Sequence, residues 1–203
     1  MTLDRLRPIA NAGLSPFVRG ATAIGLGPNL ISVLAFGCAI AAGWTFYAAG
    51  EFPFWYLVGA AFVFANGWLD LLDGAVAREL DVDSPRGDLL DHVLDRYADI
   101  VIVAGLAAGI GEYALGFFAI TGVLMTSYLG TQTIAVGLER AYGGVIGRAD
   151  RLALIGIVAL LTVAYPDTIA GVFTLVGWLL VFLGVVGHLT ALQRFLGAWR
   201  RLE

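Results

Sequence analysis

Hydrophobic residues in this chain gather into six long runs, roughly 29–49, 54–80, 87–110, 113–139, 151–165 and 168–195. A hydrocarbon core of about 30 Å is crossed by about 20 residues of helix, so the runs predict six transmembrane helices, 151–165 being the shortest. The connectors between them are short, which predicts one membrane domain over 1–203. Residues 1–28 break the pattern with Pro8, Pro16, Pro28, three arginines and several small residues. They lack the continuous apolar core of a cleavable signal. They read instead as an amphipathic segment on the cytoplasmic face, leading into the first span through Gly27-Pro28-Asn29.

Composition sharpens this into an all-α integral membrane protein. The hydrophobic share is 59%, and charged residues make up 14%, against about 25% in an ordinary soluble domain. Mean hydropathy is +0.84. All twelve basic residues are arginine. Arg5, Arg7 and Arg19 precede the first span; Arg78 and Arg86 flank the second turn; Arg140, Arg148 and Arg151 flank the fourth; Arg194, Arg200 and Arg201 lie toward the C-terminus. The opposite connectors carry only Glu51, Glu112 and Asp167. By the positive-inside rule both termini and both arginine-bearing turns face the cytoplasm, which predicts a cytoplasmic-membrane protein with its polar chemistry on that side. A net charge of −4 argues against nucleic acid as a partner. The single Cys38 excludes an intramolecular disulfide and reads as a small buried thiol.

Four carboxylates then stand out inside apolar runs: Asp70, Asp73, Asp91 and Asp95. Buried charge in a bilayer costs at least a few kcal/mol, so such groups face a cavity, a partner or an ion. Asp70 and Asp73 are three apart, Asp91 and Asp95 four apart, and each pair shares a helix face. A turn near 81–87 folds the two runs into an antiparallel hairpin. Equal counts from the turn then bring both pairs to one depth, roughly 14–20 Å from the tip at about 1.5 Å per residue. Converging carboxylates repel unless cations intervene, and an all-oxygen donor set suits Mg2+, Mn2+ or Ca2+. Gly74 and Ala77 leave space beside the acids, Arg78 offers a fork to phosphate oxygens, and Gly87 opens the third run, where free N–H groups favour an anion. Carboxylates beside phosphate are the setting of two-metal phosphoryl chemistry.

The string Asp70-x2-Asp73-Gly74-x2-Ala77-Arg78-x8-Gly87-x3-Asp91-x3-Asp95 resembles the signature of the CDP-alcohol phosphotransferase family at every specified position. The six-helix reading and the amphipathic start are similar to that family too. The resemblance implies transfer of a lipid-phosphate group from a CDP-lipid to the hydroxyl of a small alcohol, releasing CMP. It implies two divalent cations, Mg2+ or Mn2+, held by Asp70, Asp73, Asp91 and Asp95, with Asp95 also the general base. Asp70, Gly74, Ala77, Arg78 and Gly87 would line the CDP pocket. It further implies membrane lipid around the protein and a homodimer.

A second polar constellation spans Thr126-Ser127-Tyr128-Leu-Gly130-Thr131-Gln132-Thr133 and the turn Gly143-Gly144-Val-Ile-Gly147-Arg148-Ala-Asp150-Arg151. Arginines entering a helix beside a metal site suit an acceptor that itself carries phosphate, which singles out Arg148 and Arg151. Ser127-Tyr128 and Asp150-Arg151 resemble elements of the inositol-phosphate-using branch. The residues after Ser127-Tyr128 lack that branch's basic side chains, so glycerol phosphate stands beside inositol phosphate. Absence of lysine with an acid excess fits a halophile or a high-GC genome. A halophilic archaeon would use CDP-archaeol in place of CDP-diacylglycerol. Rival readings are the same chemistry on an unphosphorylated acceptor such as serine, an inactive scaffold, and, from another class, a metal-ion transporter. His92 reads as a surface or partner contact, and His188 as a polar residue satisfied by a neighbouring helix. Asp99 continues the Asp91–Asp95 stripe as a candidate partner for an arginine. Gly171, Gly177, Gly184 and Gly187 read as helix-packing positions.

Overall fold

Proline or a positive-φ glycine stands at or beside several of the chain's turns, as at Pro28, Pro53, Pro85, Gly111, Gly137 and Gly171. Seven α-helices result among the described residues of this computed structural model, which are 7–82, 84–141, 144, 146–169 and 171–202. They are α1 (Arg7–Ala23), α2 (Pro28–Ala48), α3 (Phe54–Leu80), α4 (Pro85–Gly109), α5 (Tyr113–Ala135), α6 (Arg148–Ala164) and α7 (Leu175–Leu202). The first six residues of the predicted amphipathic segment, Arg5 among them, and Gly143 of the glycine-rich turn lie outside the described residues.

Among the described residues the regular structure is helical, as the apolar runs predict, apart from one antiparallel bridge between Ile169 and Phe173. Four helices, α2, α3, α5 and α7, are long and apolar enough to cross a membrane. Helix α4 has the length, at 25 residues, but carries Asp88, Asp91, Asp95, Arg96 and Asp99. Helix α6 has 17 residues, at the lower end of the range of about 17–25 that a span takes.

Boundaries differ from the predicted runs where local backbone chemistry intervenes. Helix α5 stops at Ala135 because Gly137 takes φ 83°, letting Leu138 N–H reach the Thr133 carbonyl at 2.9 Å. Helix α6 starts three residues earlier than its run, with Gly147 N–H donating to Asp150 Oδ2 at 3.0 Å. The largest shift is in α7. Gly171 at φ 68° turns the apolar stretch after Tyr165 back on itself, and Ile169 N–H donates to Phe173 C=O at 2.8 Å. The helix therefore begins at Leu175 and runs on to Leu202.

Helix α2 lies against both α3 and α4, α5 against α4 and α7, and α6 against α3 and α7. Ala39, Ala42 and Phe46 of α2 meet Val63 of α3 and Ile102 and Leu106 of α4 in the main core. The α2 and α4 backbones nearly touch: a Cβ on Gly105 would stand 2.2 Å from the Gly43 carbonyl oxygen. Helices α5 and α7 pack in the same way. A Cβ on Gly187 would lie 2.6 Å from Gly122 backbone, and one on Gly184 would lie 2.2 Å from the Phe118 ring. Helix α1 buries Leu14, Val18 and Ala21 against Ile31, Leu72 and Val76 at the same end as the α3–α4 turn.

That turn fixes the geometry of the acidic residues. Asp81 ends α3 in the left-handed region, φ 51°, which Asp tolerates better than most residues, and Val82 N–H returns to Ala77 C=O at 3.1 Å. Ser84 caps α4 by accepting the Gly87 N–H at 3.1 Å, with Pro85 following at the first helical position. Helix α4 thus begins before Gly87, and the Gly87 N–H, expected from the sequence to be free for an anion, is engaged by Ser84.

Candidate active site

Three carboxylates converge where α3 and α4 face each other under α2. Asp70, Asp91 and Asp95 each bring one oxygen within 4.8 Å of the other two. Asp73 lines the same small cavity but is more deeply set, 7% exposed, and its Oδ2 accepts a hydrogen bond from Ser32 Oγ of α2 at 2.7 Å. The donors at this cluster are hard oxygens with no cysteine or imidazole among them, which fits Mg2+ or Mn2+ and not a zinc site. The local charge also demands a cation. Arg148, from the start of α6, sets one terminal guanidinium nitrogen 2.6 Å from Asp70 Oδ1 and the other 2.8 Å from Asp95 Oδ1.

Arg148 also opens onto a second, much larger cavity of about 740 Å3. Its walls carry Arg96 from α4, Ser127 and Tyr128 from α5, Arg140 from the following turn, Arg148 and Arg151 from α6, and Arg194 from α7. Arg96 donates to Ser127 Oγ and lies 3.5 Å from Asp95 Oδ2. Arg194 donates to the Thr126 carbonyl, and a Cβ on Gly130 would collide with its guanidinium at 2.6 Å. Arg140 donates to His92 Nε2 at 3.1 Å, leaving His92 Nδ1 to donate to the Asp88 carbonyl at 2.8 Å. One cluster of acid and one basin of arginine therefore share a wall.

The residues singled out in the sequence fall into three groups. Asp70, Asp91, Asp95 and Arg148 meet directly; Asp73 borders them; Arg151 lines the large cavity while paired with Asp99 at 2.6 Å. Gly74, Ala77, Arg78 and Gly87 lie nearer the hairpin tip and are not among the described residues lining either cavity. A Cβ on Gly74 would meet the Arg78 guanidinium at 3.3 Å, so this glycine gives that side chain room to lie along α3. His188 stacks on Phe118 with ring centroids 4.9 Å apart and lies 3.3 Å from Thr121 Oγ1, satisfied by the neighbouring helix.

Sequence reading missed Ser32, Asn66, Arg96 and Arg194. Asn66 is 1% exposed, donates to Ala35 C=O at 2.9 Å and accepts from Arg148 at 3.4 Å. It stands four residues before Asp70 on one face of α3, and that spacing in an apolar run was the available signal. In the sequence Arg194 counts as cytoplasmic charge near the C-terminus, and Arg96 is a lone cation inside the third apolar run, nearer that same side; neither placement reveals an inward orientation.

Comparison with known proteins agrees with this geometry. The CDP-alcohol phosphatidyltransferase family matches residues 26–186. The chain is 32% identical to the archaetidylinositol phosphate synthase of Methanothermobacter thermautotrophicus, over 99% of this chain and 96% of that protein. It is 31% identical to the phosphatidylinositol phosphate synthase of Streptomyces avermitilis, over 89% of this chain and 75% of that protein. Among solved structures, the phosphatidylinositol phosphate synthase of Mycobacterium tuberculosis with CDP-DAG bound superposes with a TM-score of 0.76 at 26% identity. That match covers 91% of this chain and 92% of the other. The same enzyme in complex with manganese and citrate superposes equally well.

Proposed function

The chain belongs to the CDP-alcohol phosphatidyltransferase family, and we propose that inositol phosphate is the acceptor it serves. The reaction is transfer of the lipid-phosphate group of a CDP-lipid to a hydroxyl of a phosphorylated polyol, releasing CMP, with dependence on divalent cations. The observation that carries the choice of a phosphorylated acceptor is the arginine-walled cavity joined to the carboxylate cluster through Arg148. Such a cavity offers several guanidinium forks to a phosphomonoester, a group that serine or a free alcohol lacks. The relatives named for archaetidylinositol phosphate and phosphatidylinositol phosphate support inositol as the polyol. CDP-archaeol or CDP-diacylglycerol is the donor.

Asp70, Asp73, Asp91 and Asp95 hold two divalent cations, Mg2+ or Mn2+. When bound, these neutralise the donor diphosphate and stabilise the departing CMP. Ser32 fixes the Asp73 carboxylate in place. Asp95 takes the proton of the acceptor hydroxyl as that oxygen forms its bond to the lipid-linked phosphorus and the bond to CMP breaks. Its position between the other carboxylates and Arg96 keeps it within reach of both cavities. Gly74, Ala77, Arg78 and Gly87 line the CDP moiety. Arg148 and Arg151 grip the acceptor phosphate, turning a bimolecular encounter into a positioned attack.

In the membrane, α2 to α7 are six spans, α1 lies amphipathically on the cytoplasmic surface, and both termini and the active site face the cytoplasm. The distribution of arginine supports that orientation. The enzyme works as a homodimer. A metal-ion transporter would need acidic residues along a path, and α2, α5 and α7 contain none.

The test is CMP release by purified protein in detergent with Mn2+ and CDP-lipid, across inositol phosphate, glycerol phosphate, inositol, glycerol and serine. Stimulation by inositol phosphate above the others is the expected result. Stimulation by serine or a free alcohol alone would overturn the phosphate-acceptor assignment.

A further inference from the structure

Helix α4 carries three aspartates at four-residue spacing, Asp91, Asp95 and Asp99, on one face. The first two join Asp70 in the carboxylate cluster; the third does not. Asp99 is 3% exposed and is not among the described residues lining either cavity. Its Oδ2 accepts a hydrogen bond from a terminal nitrogen of Arg151 at 2.6 Å and stands 3.8 Å from a terminal nitrogen of Arg96. Both arginines line the 740 Å3 cavity.

Arg151 is itself buried, at 6% exposure, and its Nε has no hydrogen-bond partner among the described residues. A buried N–H donor left unmade is costly, and such groups are found where a ligand completes them. Asp99 thus holds one edge of the Arg151 guanidinium and leaves donors over. Arg96 is tethered on three sides, by Asp99, Asp95 and Ser127, so its plane is fixed between the acid cluster and the cavity. A long arginine side chain loses rotamer freedom when it grips a ligand, and a buried carboxylate partner removes that freedom before any ligand arrives.

We infer that Asp99 is a positioning residue for the acceptor. It orients Arg151 so that its guanidinium group meets the acceptor's phosphate, while Arg96 keeps Asp95 and Ser127 as its own partners, and it takes no part in holding metal. The aspartate stripe of α4 is thereby divided, two turns serving the donor side and the next turn serving the acceptor side. This inference rests on the phosphorylated-acceptor reading above, and its test separates the two.

The experiment is steady-state kinetics of wild-type protein and of the Asp99→Asn, Asp99→Glu, Arg151→Gln and Asp99→Asn/Arg151→Gln variants. Inositol phosphate and CDP-lipid are each varied, and Mn2+ binding is followed by electron paramagnetic resonance. Asp99→Asn is expected to raise the KM for inositol phosphate about tenfold or more. The KM for CDP-lipid and the Mn2+ affinity stay at wild-type values, and Asp99→Glu recovers most of the loss. The double variant leaves no unpaired Arg151 charge in the interior, which keeps it foldable where the single variant fails. Its KM for inositol phosphate is expected to equal that of Arg151→Gln alone, because Asp99 acts through Arg151. Weakened Mn2+ binding in Asp99→Asn would make Asp99 a metal-site residue and overturn the inference. So would an unchanged KM for inositol phosphate, or a further loss in the double variant. Failure of the wild type itself to use any phosphorylated polyol would instead sink the reading of the acceptor.

Discussion

Arg148 sets its two terminal nitrogens against Asp70 and Asp95 at 2.6 and 2.8 Å, so it contends for two of the carboxylates that a divalent cation would use. At these distances opposite charges interact by several kcal/mol even at an effective dielectric near 20. Arg148→Gln is therefore expected to tighten Mn2+ binding about tenfold, read by titration calorimetry, while raising the KM for the acceptor. Weaker Mn2+ binding in that variant would mean that Arg148 scaffolds the carboxylates instead of competing for them. Asp91→Asn is expected to lower CMP release by at least about 100-fold with helicity by circular dichroism unchanged; full activity in the folded variant would refute its assignment. The acid residues were legible in the sequence because helical spacing plus an apolar background makes a charged stripe conspicuous. Ser32 was not, because it is a single small polar residue whose meaning depends on a neighbouring helix, and Asn66 was marked only by its four-residue spacing to Asp70.

The α3–α4 hairpin and the α2–α4 contact hold the acids in register. Phe54–Leu80 matches its apolar run end to end, because Pro53 and the left-handed Asp81 stop the helix where the hydrophobicity also stops. The run 168–195, by contrast, misled by seven residues at each end. Hydropathy records which residues avoid water, whereas Gly171 at φ 68° decides where the chain turns. The close crossing of α2 and α4 was likewise invisible in the sequence, since Gly43 and Gly105 are far apart and only the folded pair reveals a Cβ-to-oxygen distance of 2.2 Å. Gly105→Ala must push the helices apart, and it is expected to destabilise the protein by about 1–3 kcal/mol, measured as a drop in thermal unfolding midpoint in detergent. An unchanged midpoint would show that the crossing has slack. Because α4 carries Asp91 and Asp95 about three to four turns before Gly105, that variant is also expected to lose activity out of proportion to folded protein.

At the scale of the molecule, the fold gathers six helices around two adjoining cavities of opposite charge. The carboxylate cluster draws on α3 and α4 with support from α2, and the arginine basin on α4, α5, α6 and α7. Positive charge that the sequence assigns to membrane orientation serves twice: Arg96, Arg148, Arg151 and Arg194 turn inward to line a cavity, while Arg200 and Arg201 stay exposed at the end of α7. The central claim is that the two cavities act together, one on the CDP-lipid and one on a phosphorylated acceptor. It is tested most directly by the mass of the lipid product formed from CDP-lipid, inositol phosphate and Mn2+. The account predicts a lipid phosphodiester of inositol that still bears the acceptor's own phosphomonoester, formed together with CMP and lost when the metal is chelated. A product carrying only the bridging phosphate, or CMP release without any inositol-containing lipid, would contradict it.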